Sequence, residues 1–116
     1  MKSCRGSDLI EDAEKVFEDG SAVRACVTIC NDKGLHARAS AKFVRLAERF
    51  DADIAVRRDE AVVGGTSIMG LMMLAAAKGC EIEIAANGEE AKDAVAALCE
   101  LVTEGFGENA PPENNG

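Results

Sequence analysis

The chain has 116 residues, 47% of them apolar, and a formal net charge of −8. That length and apolar content suit one globular domain around a single core rather than a disordered chain. The acidic balance opposes a phosphate polyanion, and the absence of Trp and Tyr removes base-stacking platforms, so nucleic acid is excluded as a general partner.

Membrane insertion is not expected either. A spanning helix needs roughly 20 apolar residues, and the longest apolar run, residues 68–77, is interrupted by Gly70. The first residues are studded with acids instead of forming an apolar signal region, which predicts a cytoplasmic protein. The cysteines Cys4, Cys26, Cys30, Cys80 and Cys99 are odd in number and contain no C-x-x-C pair. They read as reduced, small apolar residues, with no metal site and no disulfide framework.

In residues 1–22, Leu9, Ile10, Ala13, Val16 and Phe17 recur at helical spacing, with Ser7 or Asp8 to cap a helix and Gly20 to end it. A helix this short is marginal alone, so the segment is expected to be a loosely packed N-terminal extension. A domain over residues 23–108 follows. Ala25, Val27 and Ile29 alternate with Cys26, Thr28 and Cys30 as a half-buried strand. After a turn at Asn31-Asp32-Lys33-Gly34 the spacing becomes helical over residues 37–50. Ala39, Phe43, Leu46, Ala47 and Phe50 fall on one face, and Lys42, Arg45 and Arg49 on another.

A second strand sets Ile54 and Val56 against Asp53, Ala55 and Arg57. Asp59-Glu60 turns into a third strand at residues 61–63, which Gly64-Gly65 breaks. Residues 67–74 form a short helix ending before Lys78-Gly79. Cys80, Ile82 and Ile84 alternate with Glu81 and Glu83 as a fourth strand. Asn87 and Glu90 resemble a capping box ahead of a last helix with the stripe Ala91, Ala94, Val95, Leu98, Leu101 and Val102, stopped by Gly105. The tail, residues 109–116, holds Pro111-Pro112 and is expected to be disordered.

The order β-α-β-β-α-β-α predicts an α+β fold: an open-faced β-sandwich, a four-stranded antiparallel sheet with three helices on one face. Thr28, Arg57, Glu81 and Glu83 point to a second face in water.

Three features carry candidate chemistry. The first is Gly34-Leu35-His36-Ala37-Arg38, where a turn feeds a helix. Backbone N–H groups at a helix start lack intrahelical partners, and the dipole there favours an anion. Imidazole is a competent nucleophile near neutral pH, and Arg38 supplies a planar cationic fork suited to phosphate oxygens. The second is Thr66-Ser67-Ile68-Met69-Gly70. Ser67 caps the short helix, whose Ile68, Met69, Met72 and Met73 divide between the core and an adaptable apolar patch. The third is the basic stripe Arg38, Lys42, Arg45 and Arg49 on an otherwise acidic chain, suited to steering toward an acidic partner surface.

Together, Gly-Leu-His-Ala-Arg at residues 34–38, Thr-Ser-Ile-Met-Gly at 66–70 and Ala-Lys-Gly at 77–79 resemble the histidine-containing phosphocarrier family, HPr, of the phosphoenolpyruvate-dependent phosphotransferase system. The resemblance implies that His36 accepts a phosphoryl group on Nδ1 from an enzyme I-type donor and passes it to an enzyme II A-type domain. It further implies that Arg38 stabilises phosphohistidine and that Ser67 is a target for an HPr kinase/phosphorylase. Lys42, Arg45, Arg49, Ile68, Met69 and Met72 would form the docking surface. The implied protein is a monomeric carrier without turnover of its own and without a cofactor. Two residues depart from the usual pattern: Ala39 stands where the family has Pro after the active-site Arg, and Thr66 where it often has Lys. The variant is similar to HPr proteins of regulatory, nitrogen-type systems, with sugar uptake as the other branch.

Overall fold

Period-two alternation builds one sheet and sorts its faces. The computed structural model describes residues 13–107. Helix α1 (residues 13–18) leads into β1 (Val23–Thr28), α2 (Ala37–Ala47), β2 (Asp53–Arg58), β3 (Ala61–Gly64), α3 (Ile68–Met73), β4 (Glu81–Asn87) and α4 (Ala91–Thr103), with a 3-10 turn at Gly105–Gly107. The strands lie in the order β1-β4-β2-β3, every neighbour antiparallel. Cross-strand register places Val27 opposite Ile82 and Val56 opposite Ile84, so one face is continuously apolar. Against that face pack Phe43 of α2, Leu71 of α3 and Leu98 of α4, all fully buried. The open-faced sandwich with three helices on one side is therefore the observed architecture.

The second face is not wholly in water. Ala55 of β2 and Ala85 of β4 point outward, and both are buried beneath Ala13, Val16 and Phe17 of α1. Small side chains at the sheet centre let the helix approach closely. Two arginines from the sheet grip it. Arg57 pairs with Glu83 and lies 4.6 Å from the centroid of the Phe17 ring, while Arg24 lies 5.8 Å from that ring and donates to the Phe17 carbonyl. Cationic donors at a helix C-terminus satisfy carbonyls that lack partners. The extension thus packs firmly where residue spacing suggested a loose one, because the partners it needs lie far away in sequence. The helix ends before Gly20, as expected; Ser7, Asp8, Leu9, Ile10 and the tail at 109–116 lie outside the described residues.

Other boundaries moved for identifiable reasons. Strand β4 runs on to Asn87, because Asp53 of β2 continues the pairing to that residue. Asn87 therefore cannot cap α4; its amide donates to the Asp19 carboxylate at 2.9 Å. Glu90 occupies the N-cap position without a side-chain capping bond, and its carboxylate accepts from the Asp51 amide instead. Helix α2 stops at Ala47, and the i→i−3 bonds of Arg49 and Phe50 tighten the chain beyond it. Its inner face consists of Ala39, Ser40, Phe43, Val44 and Ala47, with Leu46 and Phe50 at the margin. The described cysteines Cys26, Cys30, Cys80 and Cys99 are thiols. Burial, and secondarily the nearby Cys26, push the Cys99 thiol up.

The attachment of α1 is open to measurement. Phe17→Ala should cost about 2 kcal/mol of stability by denaturant unfolding, from lost apolar burial and a cavity over Ala55. It should also strip protection from the α1 amides in hydrogen exchange. The Asp19 carboxyl is held below its ordinary 3.8 by the Ser21 amide and hydroxyl, the Asn87 amide and Arg24. A carboxyl lowered on folding stabilises above its unfolded pKa and loses that contribution as pH falls through the folded one. The stability difference between the wild type and Asp19→Ala should accordingly be present at neutral pH and shrink once pH drops below 3.8.

Candidate functional site

His36 is the N-cap of α2. Its backbone is extended, with φ −81° and ψ −176°, and its Nδ1 accepts the Arg38 amide at 3.3 Å. The imidazole is half-buried, so one edge faces solvent while Nδ1 faces the helix start. A neutral imidazole accepting at Nδ1 carries its proton on Nε2. The first turn of α2 contains no acidic residue, and Arg38 is exposed beside it. Positive potential from the backbone amides and dipole of the helix start therefore surrounds Nδ1, with the Arg38 side chain two residues along the chain.

The loop ahead of His36 is pressed against the chain that leaves α3. Gly34 adopts φ +66°, and a Cβ there would collide with the Ala76 carbonyl and come within 2.9 Å of Ala77 Cα. The Leu35 amide donates to that same Ala76 carbonyl at 2.9 Å. Arg58 ties down the segment between, donating to the Leu74 carbonyl at 2.8 Å. The histidine loop and the end of α3 are thereby locked together, and α2 and α3 pack side by side.

Ser67 is the N-cap of α3, its hydroxyl accepting the Gly70 amide at 3.0 Å. Leu71 anchors the helix in the core, which turns Ile68, Met69, Met72 and Met73 outward at 40, 69, 40 and 76% exposure. Met73, one of the four residues that the sequence assigns to this helix's apolar set, is the most exposed of them.

The basic residues do not form one site. Arg38 is in the first turn of α2, while Arg49 lies beyond the helix's last residue, Ala47. Arg45 and Arg49 are exposed and border a shallow 400 Å³ groove floored by Leu46 and Leu101. Lys42 is half-buried and donates to the Phe106 carbonyl at 2.7 Å, holding the turn after α4. Two buried polar residues, Asn31 and Ser40, bond the histidine loop from beneath and were not singled out by sequence reasoning. A serine inside the apolar stripe of α2 was a legible signal; Asn31 looked like any turn residue.

The structure is an open-faced sandwich whose single histidine caps a helix packed beside a methionine-rich helix. The family model described as the PTS HPr component phosphorylation site matches residues 23–104, and the chain belongs to the HPr family of phosphocarriers. It is 45% identical to the phosphocarrier protein HPr of Neisseria meningitidis over 86 residues, 74% of this chain and 97% of that protein. It is 41% identical to the phosphocarrier protein NPr of Klebsiella oxytoca over 75% of this chain and 98% of that protein. The crystal structure of HPr-C-His from Thermoanaerobacter tengcongensis superposes with a TM-score of 0.72 at 36% identity, covering 76% of this chain and 99% of that one.

The lock between the two segments predicts a steep cost at one atom. Gly34→Ala should destabilise the fold by about 3 kcal/mol, combining left-handed backbone strain with overpacking against Ala76. Ser67→Ala, which removes only a cap, should cost about 1 kcal/mol. Chemical denaturation of the two variants measures both.

Proposed function

We propose that His36 is the phosphoryl acceptor of this carrier, taking the group on Nδ1 from an enzyme I-type donor charged by phosphoenolpyruvate and delivering it to an enzyme II A-type domain. The observation that carries this reading is the Nδ1 atom itself, aimed at the Arg38 amide in an acid-free first turn of α2. In the transfer the Nδ1 lone pair attacks phosphorus. The bond from phosphorus to the donor atom breaks as the new P–N bond forms, and its electron pair stays with the donor. The phosphoryl oxygens then lie where the Arg38 amide and guanidinium stabilise them. The return step to the acceptor is the same displacement in reverse.

Arg45 on α2, Arg49 just beyond its end and Ile68, Met69 and Met72 on α3 form the docking surface in this reading, with Lys42 at its margin held to the Phe106 carbonyl. Exposed methionines adapt to more than one partner, as a relay between donor and acceptor requires. Basic groups on an acidic chain orient the encounter with acidic partner surfaces. Ser67 is the regulatory position. Phosphorylation by an HPr kinase/phosphorylase would replace its bond to Gly70 and set a dianion among Ile68, Met69 and Met72, opposing an acidic partner. The carrier works as a cytoplasmic monomer without turnover of its own. Residues 1–22 are an appended segment, residues 23–108 the carrier domain and residues 109–116 a tail. Among the described residues no helix is long and apolar enough to cross a membrane. Relatives named HPr and NPr both match, and Ala39 and Thr66 favour the nitrogen-regulatory branch over sugar uptake.

Incubation with phosphoenolpyruvate and an enzyme I-type donor should add one acid-labile phosphate by intact mass. His36→Ala should abolish it; equal labelling of that variant would sink the reading. Arg38→Ala should still be labelled, about tenfold or more slowly, because one charge-stabilising group is lost from the reacting centre.

A further inference from the structure

Three consecutive peptide groups around His36 are each held by at least one hydrogen bond. The Leu35 amide donates to the Ala76 carbonyl at 2.9 Å. At the other end of that same peptide plane, the Gly34 carbonyl accepts two donors, the His36 amide at 2.9 Å and the Asn31 side-chain amide at 2.9 Å. The next plane is pinned at the Leu35 carbonyl by the Ser40 hydroxyl at 3.3 Å. The one after is pinned at the His36 carbonyl by the Ser40 amide at 2.8 Å.

Asn31 is the unexpected member. It is fully buried, and burying a primary amide is costly unless it gains hydrogen bonds. The turn does not need it for closure, since the Gly34 amide already donates to the Asn31 carbonyl at 3.2 Å. What the side chain adds is a grip on the one carbonyl that also receives the His36 N–H.

We infer that Asn31 is a positioning residue for the chemistry at His36: by fixing the Gly34 carbonyl it fixes the backbone from which Nδ1 is aimed at the start of α2. The inference rests on the phosphocarrier reading of His36. Asn31 does not touch the reacting atoms. It acts through the peptide plane between Gly34 and Leu35, whose rotation would carry the His36 backbone with it. A nucleophile held within a fraction of an ångström of its productive place keeps an advantage that small displacements remove.

The test uses the full chain and two phosphoryl donors. Phosphoramidate, a small donor that needs no docking surface, reads the intrinsic reactivity of His36; an enzyme I-type donor separates kcat from KM. For Asn31→Ala, measured well below its melting temperature, labelling by phosphoramidate should slow about tenfold. With the enzyme I-type donor, kcat should fall by a similar factor at unchanged KM. Hydrogen exchange at the His36 amide should accelerate. Asn31→Ser, which retains a donor, should recover most of the rate. Wild-type rates in a folded Asn31→Ala, or a change confined to KM or to melting temperature, would overturn the inference. If Asn31→Ala does not fold, Asn31→Asp takes its place, because it keeps the shape and exchanges the donor for an acceptor. It should then react more slowly than Asn31→Ser, and equal rates would refute the role. A wild type unlabelled at His36 by either donor defeats the phosphocarrier reading instead. The exchange rate of the His36 amide in Asn31→Asp then still decides whether Asn31 holds that backbone.

Discussion

The structure turns on the close approach of Gly34 to the Ala76 carbonyl. A left-handed backbone without a Cβ lets the Leu35 amide reach that oxygen. One hydrogen bond thereby joins the loop before α2 to the chain after α3, two segments separated by two helices and a hairpin. The histidine inherits its position from this contact, and the methionine-bearing helix inherits its placement beside it. Core packing of Phe43 and Leu71 supplies the apolar area that holds α2 and α3 on the sheet. The glycine turn decides how their ends meet.

Electrostatics work locally against the sign of the whole chain. The formal net charge is −8, a field that repels phosphoryl donors at long range. Near His36 the balance reverses, because α2 opens with no acid and carries the exposed Arg38 in its first turn. The reversal is built partly from backbone amides, whose partial charges are fixed in place and need no side-chain ordering. Lys42 shows that a basic residue on the same helix can instead serve the fold, since its ammonium is committed to the carbonyl of the buried Phe106.

On the far face, α1 gives this carrier a feature outside the stretch matched by the family model. Ala55 and Ala85 leave room for it, and Arg57 uses one guanidinium both to pair with Glu83 and to cover Phe17. The helix closes over the face opposite α2 and α3, so its docking leaves the histidine and methionine surfaces open.

Much of this was legible in the sequence because it is local or periodic. Alternation of Ile54 and Val56, or of Ile82 and Ile84, sets the buried face of each strand whatever its neighbours are. The stripe through Ala91, Leu98 and Val102 does the same for α4. The two motifs around His36 and Ser67 fixed the family and marked both caps. Long-range partners were not legible. Asn87 looked like a helix cap until pairing with Asp53 drew it into the sheet and Asp19 took its amide. Phe17 looked like part of a marginal helix until Arg24 and Arg57 met it. Asn31 looked like a turn residue until burial put its amide on the Gly34 carbonyl. Sequence determined the elements, their inner faces and the family. Only the tertiary structure decided which distant groups satisfy the exposed backbone and side-chain donors, because a hydrogen bond between remote residues leaves no period in the chain.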